Sequence, residues 1–184
     1  MMEQKILELR HITKLYPGVV ALDDVSLGFS RGEVHAIVGE NGAGKSTFIK
    51  VITGAIAPTQ GTLIFEGKQI EDNTPQKSMA LGITAIYQEL NLLKHLSVAE
   101  NIYYNRYRKK RGLIDFRGME EDAAKVLERL GVKIDPKMLV KDLSVGYQQL
   151  VEIAKSLSQD VKVMIMDEPS AALTNSELEY LFEI

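Results

Sequence analysis

The sequence predicts an α/β domain interrupted by a helical subdomain, and three observations lead there. Short strand-like runs divided by turn dipeptides fill the opening third; a glycine-rich loop then opens a helix; and an almost wholly helical block ends in one continuous apolar run, Val163-Met164-Ile165-Met166. Composition agrees with a globular chain: of 184 residues, 45% are hydrophobic and 26% charged, enough apolar surface to offset the ordering entropy. The 22 basic and 25 acidic side chains leave a net charge of −3, a balance that disfavours generic nucleic-acid binding. The absence of cysteine excludes thiol catalysis, disulfides and cysteine-ligated zinc. No apolar run approaches the roughly 20 residues that cross a bilayer, and Met1 to Arg10 contain no leader-like core, so a cytoplasmic location is expected.

Taken in order, Lys5 to His11, Val20 to Phe29 and Glu33 to Val38 read as strands, with Pro17-Gly18 and Arg31-Gly32 as punctuation. Lys45 to Ile52 has helical periodicity and is closed by Gly54 and Pro58. Gly61 to Glu66 and Ile83 to Tyr87 return to strand composition. From Glu89 to Gln159 the signal is helical, with Ser97 as an N-cap, then Glu120 to Leu130, then Val145 to Leu157 carrying Leu150, Ile153, Ala154 and Leu157 on one face. Val163 to Met166 has the pattern of a strand buried on both sides. Glu177 to Ile184 opens an amphipathic helix with no stop signal after it, so the chain is expected to end within an element. The expected organisation is one incomplete domain: 1–88 for the β part and the first core segment, 89–160 for the helical subdomain, and 161–184 for the last strand with its adjoining loop and helix start.

The strongest chemical signal is Gly39-Glu40-Asn41-Gly42-Ala43-Gly44-Lys45-Ser46-Thr47, which matches GxxxxGK[ST] between a strand and a helix. Glycines let successive amides turn toward phosphate oxygens, and the following helix adds its positive end. Lys45 is then expected among the β and γ phosphates and the Ser46 hydroxyl on Mg²⁺. Such a loop needs a carboxylate on a neighbouring strand, and Asp167 ends the apolar run. Glu168, next in line, is a candidate general base for the attacking water. The alternative for this acidic pair is an ordinary strand-to-loop junction.

Together with Leu143-Ser144-Val145-Gly146-Tyr147-Gln148-Gln149, a serine cap and a glycine opening a helix, these residues resemble the ATP-binding cassette family. The resemblance implies a P-loop NTPase (RecA-like) core with an N-terminal antiparallel β subdomain, an inserted helical subdomain and the C-terminal part of the core missing. It implies that Ser144 and Gly146 clasp the γ-phosphate of ATP bound to an opposing cassette, that Tyr16 stacks on adenine, and that Gln88 contacts Mg²⁺ or the attacking water. Ser170-Ala171-Ala172-Leu173-Thr174 stands where the family has an interface loop, with Thr174 where many cassettes have aspartate. Stretches such as Tyr16-Pro17-Gly18-Val19-Val20-Ala21-Leu22 and Leu96-Ser97-Val98-Ala99-Glu100-Asn101-Ile102 resemble the monosaccharide importer branch. Tyr147 departs from it, since the branch usually carries glutamine there.

The resemblance implies an ATPase subunit, peripheral on the inner face of the membrane, that powers sugar uptake. Its implied partners are ATP, a second cassette head to tail, permease subunits near 91–105, and, indirectly, a sugar-binding protein outside the cell. Two other readings stay open: a soluble cassette acting on nucleic acid or ribosomes, and a nucleotide-binding piece without turnover. A GTPase or small kinase fits poorly, because no Asn-Lys-x-Asp guanine reader is present. Asp167 lies 184 − 167 = 17 residues from the end, and the family's switch histidine comes a strand later. The isolated chain is therefore expected to bind nucleotide weakly and hydrolyse it very slowly. The basic run Arg106-Tyr107-Arg108-Lys109-Lys110-Arg111 reads as a solvated loop, and His11, His35 and His95 lack ligand spacing.

Overall fold

The computed structural model describes residues 5–87, 89–168, 178–179 and 181–182, and the chain divides into two compact units, Met1–Ile83 and Thr84–Ile184. In the first, β1 (Lys5–Tyr16) and β2 (Val19–Ser30) form a long hairpin, followed by α1 (Lys45–Ile52), β3 (Gln60–Phe65), β4 (Lys68–Gln69) and α2 (Pro75–Leu81). The four strands make an antiparallel sheet in the order β2-β1-β3-β4. Period-2 alternation sends Leu7 and Leu9 into the core, and a register shift then intervenes: Leu9 stands opposite Leu27 but Ile12 opposite Val25. Three steps on β1 thus answer two on β2, a bulge centred on His11 at φ 53° that returns Ile12 to the buried face.

Helix α1 spans the residues its periodicity predicts. Phe48 packs its ring 6.5 Å from that of Phe29 on β2, while Ile49, Val51 and Ile52 are buried. Its last carbonyls are met by a side chain from downstream: Asn73 Nδ2 donates to Val51 O at 3.3 Å and Ile52 O at 3.0 Å. Asn73 leads into α2, a helix outside the expected set although its punctuation is ordinary. Thr74 caps it by accepting from Lys77 N, Pro75 is its first residue, and Gly82 closes it in the left-handed conformation.

One expected strand does not form. Residues 33–40 carry no regular structure, and Val34 and Val38 stand in solvent. A strand exists only through the neighbours it bonds, and no described strand pairs with this run.

In the second unit, β5 (Ile83–Ile86) pairs with β8 (Val163–Met166), and between them run α3 (Val98–Ile102), the short strands β6 (Lys109–Lys110) and β7 (Leu113–Ile114), α4 (Phe116–Arg129), a 3₁₀ turn at Val140–Asp142 and α5 (Val145–Leu157). The expected all-helical block is thus interrupted by a β-hairpin, and its second helix starts four residues before Glu120 because Asp115 caps it by accepting from Gly118 N. The apolar faces of α3, α4 and α5 bury Val98, Ile102, Ala123, Leu127, Leu150 and Ile153 in one core, with Met164, Met166 and Leu181 packed against it. Strand β8 is half-buried along its length, not enclosed on both sides as its apolar run suggests. Ser97 and Glu100 form a reciprocal capping box on α3. Of the terminal segment, 178–179 and 181–182 are helical; Glu177, Tyr180, Glu183 and Ile184 lie outside the described residues.

Candidate functional site

The phosphate-loop residues belong to the first unit. Gly42 and Gly44 take φ of 86° and 89°, the left-handed region that side chains disfavour. Gly44 has a second reason to be glycine: a Cβ there would lie 2.4 Å from Ala21 O and 3.1 Å from Leu22 Cδ2. Strand β2 therefore backs directly onto the loop. Within the loop Ala43 N donates to Glu40 O at 3.1 Å, tightening the turn. Lys45 folds back so that Nζ donates to Gly39 O at 2.7 Å and Glu40 O at 3.0 Å. Among the described residues its ammonium is thus held by loop carbonyls, with no ion pair to a carboxylate.

No side chain caps the amino end of α1, whose N-cap is Gly44. The first-turn amides are left for an outside acceptor, and the helix dipole favours an anionic one. Ser46, in that turn, is exposed, and Asn41 and Thr47 flank the same stretch. Tyr16 sits at the tip end of the β1–β2 hairpin, paired with Val19 and 42% exposed, with Lys14 Nζ 5.3 Å above its ring. An exposed aromatic face carried by the strand pair that abuts the loop suits stacking on a planar base.

The remaining described candidates belong to the second unit. Asp167 is half-buried at the end of β8, where its amide donates to Ile86 O at 2.9 Å and extends the pairing with β5 by one residue. Glu168 is exposed and has φ 48°, an unusual conformation for a non-glycine residue. Ser144 Oγ accepts from Tyr147 N at 3.3 Å and caps α5; Gly146 is buried, while Val145 and Tyr147 are exposed. Gln88 and Ser170 to Thr174 lie outside the described residues. Among the described residues no group of three or more His, Asp or Glu could hold a metal ion. A hydroxyl such as Ser46 with one carboxylate suits Mg²⁺, which keeps most of its water shell, better than it suits an ion that demands a protein cage.

Two functional-looking contacts have no local sequence signal. Glu152, buried on α5, accepts from Asn91 N at 3.1 Å, and Lys155 one turn on donates to Asn91 O at 3.1 Å. Burial pushes the Glu152 carboxyl above the usual carboxylate range, against the pull of Lys155 and the Asn91 amide. The helix that Ser144 caps thereby grips both backbone groups of Asn91, three residues beyond Gln88. Asn101, 1% exposed, organises the next turn: its side chain accepts from Leu93 N at 2.7 Å and donates to Leu93 O and Ser97 O.

The ABC transporter family model matches residues 22–171, more than four-fifths of the chain. The chain belongs to the ABC transporter family. Among curated ABC relatives, the ribose import ATP-binding protein RbsA 1 of Streptomyces avermitilis is 50% identical over 180 residues, 98% of this chain and 34% of its own length. The protein of the same name from Rubrobacter xylanophilus is 49% identical over 179 residues, 97% of this chain and 36% of its own length. The chain thus spans about a third of the curated relatives it matches. Among solved structures, a nucleotide-free ATP-binding cassette from an ABC transporter superposes with a TM-score of 0.83 at 31% identity, covering 97% of this chain and 75% of that one. A dimeric post-hydrolysis cassette bound to ADP and Pi gives 0.81 at 26% identity, covering 96% and 80%. The ABC fold expected from the motifs, with its antiparallel N-terminal sheet and helical insertion, is therefore present.

Proposed function

We propose that this chain is the ATP-binding and ATP-hydrolysing cassette of an importer that moves a monosaccharide across the cytoplasmic membrane. The observation that carries the proposal is the phosphate loop: two left-handed glycines, a Lys45 held on the loop's own carbonyls and an uncapped helix amino end, a combination suited to a chain of phosphates. Residues Gly39 to Thr47 cradle the phosphates, with Lys45 between β and γ, and Tyr16 stacks on the adenine. Ser46, Asp167 and Gln88 would hold Mg²⁺, which when bound neutralises developing charge on the phosphate oxygens. Glu168 accepts a proton from water as its oxygen attacks the γ-phosphorus, and the bond to the β-bridging oxygen breaks to leave ADP and inorganic phosphate. Its position, exposed directly after Asp167, supports that role.

Ser144 and Gly146 act on the nucleotide of a second cassette packed head to tail, as the dimeric form of the similar solved cassette suggests. The sugar class follows from the names of the relatives, which are ribose import ATP-binding proteins. Permease subunits meet residues 91–105, and a sugar-binding protein acts at one remove. The cassette lies at the inner face of the membrane; no described helix is long and apolar enough to cross it. The test is Glu168→Gln in the full-length protein with its second cassette in place. ATP should still bind while hydrolysis falls by about a hundredfold or more, and unchanged hydrolysis would remove Glu168 from the reaction.

A further inference from the structure

The basic run at 106–111 is not one patch, because the structure sorts its five cations into two kinds. Arg106 turns onto the body of the second unit, donating to Ile102 O at 2.8 Å and to Ser158 Oγ at 2.7 Å. Arg108 bonds Asp122 at 2.8 Å and Asp115 at 3.3 Å, and lies so close over Gly118 that a Cβ there would meet its guanidinium at 2.9 Å. These two arginines anchor the base of the β6–β7 hairpin. Asp115 N donates to Arg108 O at 2.8 Å and fastens the other end of the same base.

Lys109, Lys110 and Arg111 are different. All three are exposed and have no ion pair or side-chain hydrogen bond among the described residues. Lys109 stands opposite Ile114 and Lys110 opposite Leu113, so each face of the hairpin carries one cation beside one aliphatic side chain. Those apolar groups are not covered: Leu113 is 76% exposed, Ile114 41%, and Phe116, at the start of α4, 52%. Arg111 and Gly112 form the turn with φ of 52° and 84°, both positive, as a two-residue type I′ hairpin requires. A charged residue thus occupies the strained first position, where asparagine would sit more easily, and its side chain is carried to the tip.

We infer that the β6–β7 hairpin is a docking point for an anionic lipid surface, with Lys109, Lys110 and Arg111 at the phosphate headgroups and Leu113 and Phe116 entering the interface beneath them. A convex tip with unpaired cations and bare aliphatics fits a surface that is negative outside and apolar just below. A nucleic acid or an acidic polar surface would satisfy the cations but leave the aliphatic Leu113 and Ile114 in water. Tyr107, the aromatic within the basic run, is engaged edge-on with Tyr104 at 6.2 Å and is not free as a stacking platform. The inference goes beyond the transport reading and holds whether or not the chain turns over ATP.

Each cation near an anionic leaflet contributes about fivefold in binding, so removing three costs roughly a hundredfold. The experiment is flotation of the chain with vesicles of phosphatidylcholine mixed with phosphatidylglycerol, against vesicles of phosphatidylcholine alone. The chain should float only with the anionic vesicles, release as salt rises, and lose about two orders of magnitude in affinity in Lys109→Gln/Lys110→Gln/Arg111→Gln. Arg106 and Arg108 are kept in that variant, so the hairpin base is preserved, and an unchanged far-UV circular dichroism spectrum confirms it. Leu113→Ser/Phe116→Ser should weaken binding with the salt dependence retained. Equal flotation with neutral vesicles, or a triple variant that binds as the parent does, overturns the inference. Displacement from anionic vesicles by a single-stranded RNA that binds through the same three cations would overturn it in favour of nucleic acid.

Discussion

Gly42 and Gly44 share a left-handed backbone, and only one of them is crowded, which separates two costs that usually travel together. Gly42→Ala places a Cβ in open space, so it should cost only the conformational penalty of about 1–2 kcal/mol. Gly44→Ala carries that penalty and also sets a Cβ 2.4 Å from Ala21 O, where ordinary contact begins at 3.4 Å, a deficit of 3.4 − 2.4 = 1.0 Å. Leu22 Cδ2 at 3.1 Å can swing aside, but Ala21 O is backbone, at a register shift between the paired Val20 and Leu22, and cannot move without them. Forced overpacking of this kind costs about 1–3 kcal/mol, which brings Gly44→Ala to about 2–5 kcal/mol. Urea unfolding at neutral pH, compared at equal m-values, measures the difference between the two variants, expected to be at least about 1 kcal/mol. A loop that escapes the clash by rearranging would keep stability but lose its geometry, so nucleotide affinity is measured on the same samples. Equal midpoints for the two variants together with equal nucleotide affinity would refute the close approach of β2 to the loop.

Three other outcomes concern the second unit and the reaction. Ser144→Ala removes the cap of α5 and should destabilise the chain by about 1 kcal/mol in urea unfolding, with Ser144→Asn restoring most of it. The raised pKa of Glu152 means that its contribution to stability is full below the ordinary carboxylate value of 4.5 and is lost as pH rises through the folded value. Glu152→Gln keeps an acceptor for Asn91 N without that penalty, so thermal unfolding should show a gain at neutral pH relative to acid, and an unchanged pH profile would count against it. Loss of hydrolysis without loss of binding in Glu168→Gln remains the test of the general base.

What could be read from the sequence was what local chemistry dictates. Helices α1 and α5 have their expected bounds because their signals are local: an apolar period with the closing Gly54 in α1, and an apolar period with the Ser144 cap in α5. The phosphate loop was equally legible, since its glycines answer a backbone requirement that no other residue meets cheaply. Features made by partners distant in the chain were not. Glu33 to Val38 has strand composition, yet a strand depends on neighbours that composition does not name. The grip of α5 on Asn91 joins residues 61 and 64 positions apart, and nothing at either end announces it. The β6–β7 hairpin escaped for a different reason: two-residue strands have no period, and their lysines read as loop.

In the proposed function, Gly39 to Thr47 binds the phosphates of a nucleotide through Lys45. Titrating the chain and its Lys45→Ala variant with a fluorescent ATP analogue and Mg²⁺ tests it most directly. Among the described residues Lys45 donates to loop carbonyls alone, so its loss should leave the loop folded and the far-UV spectrum unchanged. Saturable, weak binding is expected of the parent chain, with a drop of about tenfold or more in the variant, the worth of one charge-assisted hydrogen bond. Absence of saturable binding at millimolar nucleotide, or equal affinity with and without Lys45, would contradict it.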